Sequence, residues 1–337
     1  MSIWEKACKS IPYDWLLEDE NPSVKYFTLR DLLGVESNNP ELQNAKKAII
    51  QTGVIPKILA KQHPEGYWGK SSDFYVYSKY KGTSWTLLIL AQLGADGQDT
   101  RIHKSCEFIL HAAQDISSGA FAFRSNLSGS GNHNDIGPCF TGNMVWMLIR
   151  FDYSKDPRIQ NALKWITTYQ RFDDGETHPP RSWPYLRRDN CWGRHTCHAS
   201  VVCSLKALSA IPKADRTIKM NEVANQGAEH LLKHHIFRRS HDLSQIAMPD
   251  WLQLAFPIMV TSDIIDILEI LLNLGVRDER MQESINLILA KQQADGSWLL
   301  ERSHIGRHQA GFGALNQPNK YVTLRAARII RKYFNTG

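Results

Sequence analysis

The 337-residue sequence lacks any apolar run long enough to cross a membrane. A membrane-spanning helix needs about eighteen or more consecutive apolar residues, and no segment reaches that length without a charge. Residues 1–6 also lack the apolar core of a signal peptide. These absences predict a cytoplasmic protein without a membrane span.

Clustered positive charge and strand-like alternation are scarce as well. The formal net charge of +6 is modest for this length, and no dense run of lysine and arginine occurs. Proteins that bind nucleic acid usually show such clustering, so no nucleic-acid partner is predicted. The rarity of alternating apolar and polar residues disfavours β-sheet.

What the sequence does contain is internal repetition. Residues 25–30, KYFTLR, return as KYVTLR at 320–325, and the letters ILAKQ occur at 58–62 and 288–292. The glutamine that ends each ILAKQ segment begins the same pattern, Gln-x3-Gly-x-Trp. The two copies of this pattern end at Trp68 and at Trp298. We call this pattern the Gln–Trp frame. Looser copies begin at Gln114 and Gln170.

Apolar runs with helical spacing follow a constant period of about 58 residues, starting near 23, 82, 139, 197, 261 and 319. Amphipathic runs lie between them, so the repeating unit is one buried helix, one surface helix and a Gly–Trp turn. This predicts one all-α domain over residues 1–337, an α/α toroid of about six hairpins with parallel inner and antiparallel outer helices. The near-identical first and last inner helices favour a closed ring over an open solenoid.

The Gln–Trp frames resemble the repeats of squalene and oxidosqualene cyclases and of protein prenyltransferase β subunits. Residues 15–34 resemble small single-toroid bacterial and archaeal proteins with the same repeat. The resemblance covers nearly the whole chain and implies a central cavity for an isoprenoid or another apolar small molecule. The Asp-x-Asp-Asp motif of the cyclases is absent, which disfavours cyclisation by protonation. We expect Asp173 and Asp174 to lie in a solvated turn.

Cysteine and histidine cluster at equivalent points of two repeats. Cys139 and the pair Cys197–His198 both stand where inner helices begin, so parallel helices would bring them to one rim. Thiolate and imidazole are zinc ligands, and a helix N-terminus lowers a thiol pKa. The pattern is similar to the zinc site of lanthionine cyclases. The sequence thus predicts zinc bound by a subset of Cys139, Cys197, His198, His195 and Cys191; the alternative is that these are buried structural residues.

A second candidate site is basic. Arg239-Ser240-His241 recurs as Arg302-Ser303-His304, each time in the loop after an outer helix. If these loops overhang the cavity, Arg239, His241, Arg302 and His304 would bind an anionic group such as a diphosphate. The alternative is turn chemistry shared by the repeats. His230 and His234, on an outer helix, are expected on a solvated face.

Two functional classes follow from these observations. The first is a cyclase- or prenyltransferase-like enzyme acting on an isoprenoid or a thiol-bearing substrate, assisted by zinc that lowers a thiol or water pKa. The second is a non-catalytic toroid that binds a ligand or a protein and whose cysteines are structural. The sequence names neither the substrate nor a protein partner.

Overall fold

Helices make up nearly all of the regular structure that the computed structural model describes, which covers residues 2–187 and 190–335. In chain order they are α1 (Ile3–Ala7), α2 (Tyr13–Leu16), α3 (Pro22–Asp31), α4 (Pro40–Gln51), α5 (Val54–Leu59), α6 (Thr83–Gln92), α7 (Thr100–Ala113), α8 (Pro138–Arg150), α9 (Pro157–Tyr169), α10 (His198–Ser209), α11 (Ile218–Lys233), α12 (Ile264–Leu274), α13 (Gln282–Ala290) and α14 (Lys320–Phe334). The described residues also include a short antiparallel pair, β1 (Arg238–Arg239) and β2 (Asp242–Ile246).

The outer helices start at residues that can cap a helix. The side chains of Asn39, Asp99, Asp156 and Thr217 accept hydrogen bonds from backbone N–H groups in the first turns of α4, α7, α9 and α11. Each capping residue satisfies a donor that the helix itself leaves unpaired. These helices carry one apolar face, which packs toward the inner ring.

The inner helices α3, α6, α8, α10, α12 and α14 form the centre of the molecule. Residues 83–91 of α6 are all buried, as expected of a helix covered on both sides. The helices α8 and α10 lie close together at Gly142, where a Cβ atom would lie 2.4 Å from the carbonyl carbon and oxygen of Cys203. Only glycine allows this backbone contact.

The ring is closed, as the sequence predicted. The last inner helix, α14, packs against the first, α3. The Tyr321 hydroxyl donates to Asn21 Oδ1 at 3.0 Å, at the start of α3. The two helices that begin near residues 23 and 319 are therefore neighbours, and an open solenoid is excluded.

The short helix α1 takes the outer position next to α14. It packs on α14, with Trp4 buried, and the backbone N–H of Lys9 donates to Gln292 Oε1 at 2.7 Å. Each of the six inner helices therefore has an outer partner. Helix α1 is the partner of α14, and the other outer positions are taken by α4 together with α5, then by α7, α9, α11 and α13.

The Gln–Trp frames join neighbouring repeats. The Nε2 amide of Gln62 donates to the Arg101 carbonyl and that of Gln114 to the Arg158 carbonyl, both at 2.8 Å, so each glutamine reaches the first turn of the next outer helix. Trp68 and Trp298, which end the two exact frames, are completely buried. None of the helices in the described ranges has the length and apolarity that a membrane crossing requires.

Candidate ligand cavity and the thiol rim

The ring encloses a cavity of about 640 Å³. Its walls come from α3, α12 and α14 and from the C-terminal ends of α6, α8 and α10. Because the inner helices are parallel, the cavity reaches toward the end of the ring where these helices finish. The Cys/His stretch predicted to be the site lies at the other end, where they begin.

Apolar and charged surfaces divide the cavity wall. The apolar part is contributed by Phe27, Trp146, Ile149, Phe256, Ile270 and Leu324. The Lys206 ammonium lies 4.5 Å from the centre of the Trp146 ring and 2.9 Å from Asp266 Oδ1. Lys206 is therefore neutralised by a buried carboxylate and held by a cation–π contact.

Two cavity arginines share one carboxylate. The Asp31 carboxylate lies 2.6 Å from Arg30 Nε and 3.0 Å from Arg328 Nε. The Nη2 atom of Arg328 also lies 3.4 Å from Glu269 Oε1. A third, Arg325, is bound by both oxygens of Asp263 at 2.9 Å. All three guanidinium groups thus have carboxylate partners.

Arg150 differs from them. Its side chain is open to the cavity, and no carboxylate of the described residues lies within ion-pair distance of it. Burial lowers its pKa, and the charges of Arg30 and Arg328 act in the same direction, against Glu269 and Asp31. Arg150 is therefore a cavity arginine without an ion pair among the described residues, while the carboxylates of Asp96 and Asp152 line the same cavity.

At the opposite end, the structure brings the predicted cysteines together. The Cys139 thiol is hydrogen-bonded to the Cys191 thiol, and the backbone N–H of Cys197 donates to the Cys191 carbonyl at 3.1 Å. The hydrogen bond to Cys191, followed by burial and the neighbouring thiols, raises the pKa of Cys139 well above its ordinary value. Burial raises the pKa of Cys203 to about 12. The expectation that a helix start lowers the Cys139 pKa is wrong, because burial and the thiol contact outweigh the helix dipole.

The two predicted histidines have other partners. The His198 ring stacks on Trp251 with ring centres 3.7 Å apart, and the exposed His195 lies 3.4 Å from Asp174 Oδ1. In residues 2–187 and 190–335, no group of three or more His, Cys, Asp and Glu side chains is arranged to hold a metal ion. The residues present do not fit a zinc ion in this arrangement, and zinc binding stays a prediction from the sequence.

Asp174 is the centre of a cluster of polar side chains that we expected, from the sequence, to be exposed to solvent. Its carboxylate, which is 7% exposed, lies 3.4 Å from His234 Nε2 and 2.9 Å from Lys233 Nζ. Burial opposes ionisation, but hydrogen bonds from Ser240 and Lys233 lower the Asp174 pKa to about 2. His230, next to His234, is also buried, and burial lowers its pKa to about 4. The expectation of a solvated turn and helix face is wrong, because the end of α11 and Ser240 of the hairpin contact Asp174, and Phe172 lies against His230.

The two Arg-Ser-His copies have different surroundings. Arg239 and His241 are exposed on the hairpin. Arg302 donates from Nη2 to the carbonyls of Thr261 and Ser262, at 3.1 and 3.3 Å. His304 stacks on Tyr80 with ring centres 3.7 Å apart. None of the described contacts joins the first copy to the second, so a shared anion site stays a prediction.

No protein-family model and no curated protein matches the sequence. Several solved structures are similar to it. A glycosyl hydrolase of family 88 from Bacteroides vulgatus is 12% identical with a TM-score of 0.47, over 94% of this chain and 92% of its own. A variant of the type II terpene cyclase MstE from Scytonema, bound to geranylgeranyl dihydroxybenzoate, is 15% identical with a TM-score of 0.30, over 87% and 97%. A protein from Actinoplanes is 11% identical with a TM-score of 0.33, over 86% and 100%.

These similarities concern the fold alone. At such identities and TM-scores they assign the chain to no family and no activity.

Proposed function

We propose that the toroid binds a small anionic molecule in its central cavity. The observation that carries this proposal is Arg150, whose guanidinium opens into the cavity without a carboxylate partner among the described residues. A guanidinium is planar and remains charged, and it binds carboxylate or phosphate through two parallel hydrogen bonds. The adjacent Arg30 and Arg328 are paired with Asp31 and Glu269, so the proposal depends on Arg150 itself.

The apolar wall adds a second property of the ligand. Trp146, Ile149 and Ile270 face the same space as Arg150, so a molecule with an anionic head and an apolar body would bury both parts. An isoprenoid with an acidic head group, the ligand type implied by the family resemblance, is one member of this class. The anionic group would then bind at the arginines rather than at the Arg-Ser-His loops.

Of the two functional classes, the ligand-binding toroid has the better support. The thiols of Cys139 and Cys203 have raised pKa values, which keeps them protonated and unreactive near neutral pH. Structural cysteines of this kind belong to the non-catalytic alternative. We therefore propose binding and assign no reaction.

Isothermal titration with octyl phosphate, below its micelle concentration, tests the proposal. We expect wild-type protein to bind octyl phosphate more tightly than inorganic phosphate, because the octyl chain contacts the apolar wall. Arg150→Met, which keeps an unbranched side chain but removes the guanidinium, should weaken octyl phosphate binding by at least about tenfold.

Arg101→Met is the matched control, since Arg101 lies on the outer helix α7, where Asp99 neutralises it. Its affinity for octyl phosphate should equal that of wild type. Equal affinities for wild type and Arg150→Met would show that the proposal is wrong.

A further inference from the structure

A smaller pocket adjoins the central cavity at the end of the ring where the inner helices finish. It has a volume of about 360 Å³ and lies between the start of α7 and the residues that follow α8. We call it the side pocket. Gly97 and Asp152 line both the side pocket and the central cavity, so the two spaces meet at these residues. A single ligand therefore has room to occupy both.

The loops after α6 and α8 are in contact where the two spaces meet. A Cβ atom on Gly97 would lie 2.6 Å from the Phe151 carbonyl oxygen, so the two backbones touch there. Across the same contact, the Nε2 atom of Gln98 lies 3.4 Å from Asp152 Oδ2. Asp152 has a left-handed backbone, with a φ of 69°, which turns the chain just after Arg150. Asp152 thus stands at the junction of the cavity and the side pocket.

The Asp152 carboxylate is exposed and lacks a counter-ion. No Lys, Arg or His side chain of the described residues lies within ion-pair distance of it. Asp156, the other carboxylate of the side pocket, is already bound by Arg158, with Nη2 2.7 Å from Oδ2. Asp96, which lines the central cavity after α6, is exposed like Asp152 and has no ion pair within the described ranges. The end of the cavity at Arg150 therefore also carries carboxylates whose charges are free to bind a cation.

Aromatic rings form another part of the lining of the side pocket. The rings of His103 and Tyr153 have centres 6.0 Å apart. A cation is attracted both to a carboxylate and to the face of an aromatic ring, whereas a phosphate or carboxylate group would be repelled by Asp152. The side pocket therefore suits a positively charged group, in contrast to the cavity wall at Arg150.

We propose that the cavity ligand is zwitterionic, with its anionic group at Arg150 and a primary ammonium group in the side pocket at Asp152. A primary ammonium donates charge-assisted hydrogen bonds, which a carboxylate without a counter-ion accepts. The Cα atoms of Arg150 and Asp152 are at most about 7 Å apart, because two residue steps span no more than that. The linker between the two charges is therefore short, as in an alkyl ester of phosphoethanolamine. The assignment rests on the proposed function, because it extends the ligand held at Arg150.

Isothermal titration with octyl phosphoethanolamine and octyl ethyl phosphate, both below their micelle concentrations, tests this assignment. The two esters share the octyl chain and the single phosphate charge, and they differ only in the ammonium group. We expect wild-type protein to bind the aminoethyl ester about fivefold more tightly, as for an exposed ion pair at the upper end of the usual range. Asp152→Asn, whose side chain tolerates a left-handed backbone, should bind both esters with equal affinity.

Asp14→Asn is the matched control, because Asp14 is an exposed carboxylate on α2 that lines neither space. It should keep the fivefold preference, and circular dichroism checks that both variants are folded. Equal affinities of wild type for the two esters, or a preference that survives in Asp152→Asn, would overturn the zwitterion assignment. The cavity proposal would still stand in that case if Arg150→Met weakened the binding of octyl ethyl phosphate. Absence of binding of both esters to wild type would reject the cavity proposal and this assignment with it.

Discussion

The carboxylate of Asp31 on the first inner helix binds the guanidinium of Arg328 on the last, with Nε 3.0 Å from Oδ2. This contact closes the ring, and the Arg331 guanidinium donates to the Asp31 carbonyl beside it. Arg328 lies on the cavity wall, so the bond that joins the first and last repeats also orients a cationic group of the proposed ligand site.

Asp31→Asn should therefore destabilise the protein. Both side chains are partly buried, so the loss is expected to be about 1–2 kcal/mol in urea unfolding. Glu222→Gln removes a partner of the exposed Lys219 and should cost less than about 0.5 kcal/mol. Equal effects of the two substitutions would mean that ring closure does not depend on this ion pair.

Trp298→Ala tests the Gln–Trp frame. The side chain is completely buried, and its Nε1 donates to the Ile288 carbonyl at 2.7 Å, so truncation leaves both a cavity and an unpaired acceptor. We expect a loss of about 3–5 kcal/mol in the free energy of unfolding. Tyr77→Ala, at an exposed aromatic residue, should change it by no more than about 0.5 kcal/mol. A small effect of Trp298→Ala would show that the frame is not needed for stability.

Gly142→Ala tests the close approach of α8 and α10. The new methyl group would overlap the backbone of Cys203, which cannot rotate away. The expected cost is about 1–3 kcal/mol or more, measured by thermal or urea unfolding. Gly311→Ala is the control, because no atom lies within 4 Å of a Cβ there. Similar stabilities of the two variants would contradict the described packing.

Two buried histidines, His230 and His308, and the half-buried His198 predict a loss of stability in mild acid. Burial lowers the pKa of His198 to about 3 and those of His230 and His308 to about 4. The unfolded chain binds protons below about pH 6.5 and the folded state does not, so each histidine lowers the unfolding free energy by up to about 1.4 kcal/mol per pH unit. The Asp174 carboxylate, whose pKa is lowered to about 2, loses its contribution to the free energy of unfolding only below about pH 4.

Urea unfolding at pH 7, 6 and 5 measures this slope. His198→Phe keeps a ring against Trp251 and should give a shallower decline than wild type, whereas the exposed His111→Phe should not. Parallel declines for His198→Phe and wild type would refute the prediction.

The environments of Cys139 and Cys203 predict low chemical reactivity. Cys139 and Cys203 are buried with raised pKa values, so in native protein at pH 7 they should be alkylated by iodoacetamide far more slowly than Cys197, which is partly exposed. Mass spectrometry of the peptides measures each rate. Rapid modification of Cys139 would contradict the described environment.

Metal analysis of protein purified without a chelator tests zinc at the same rim. Stoichiometric zinc that is lost in Cys139→Ala but kept in Cys8→Ala would support the zinc hypothesis. Absence of zinc from wild type would reject it.

The ring could be predicted from the sequence because its signals are local and repeated. The Gln–Trp frames mark the end of an outer helix wherever they occur, and inner helices such as α6 are apolar all round. The helices that meet at Asp31 and Arg328 were expected to be neighbours because their sequences are nearly identical.

The ligand site could not be predicted in the same way. Arg150 is an ordinary arginine at a helix end, and its isolation depends on which carboxylates neighbouring helices have already bound. The burial of Asp174 and His230 depends on loops that cross from other repeats, and periodicity does not show where those loops lie. The raised Cys139 pKa likewise follows from its contact with Cys191, whose place in a loop the sequence leaves open.

The glutamine bridges between outer helices have a consequence for how the protein comes apart. In an open array of repeats, the two end units have one neighbour each, and unfolding begins there and spreads inward. In this ring every hairpin has a neighbour on both sides. The amides of Gln62 and Gln114 tie outer helices to one another, and that of Gln292 donates to the Ser10 carbonyl in the segment after α1. No hairpin can detach without breaking two interfaces, so the molecule lacks a weak end and its repeats are lost together in one cooperative transition.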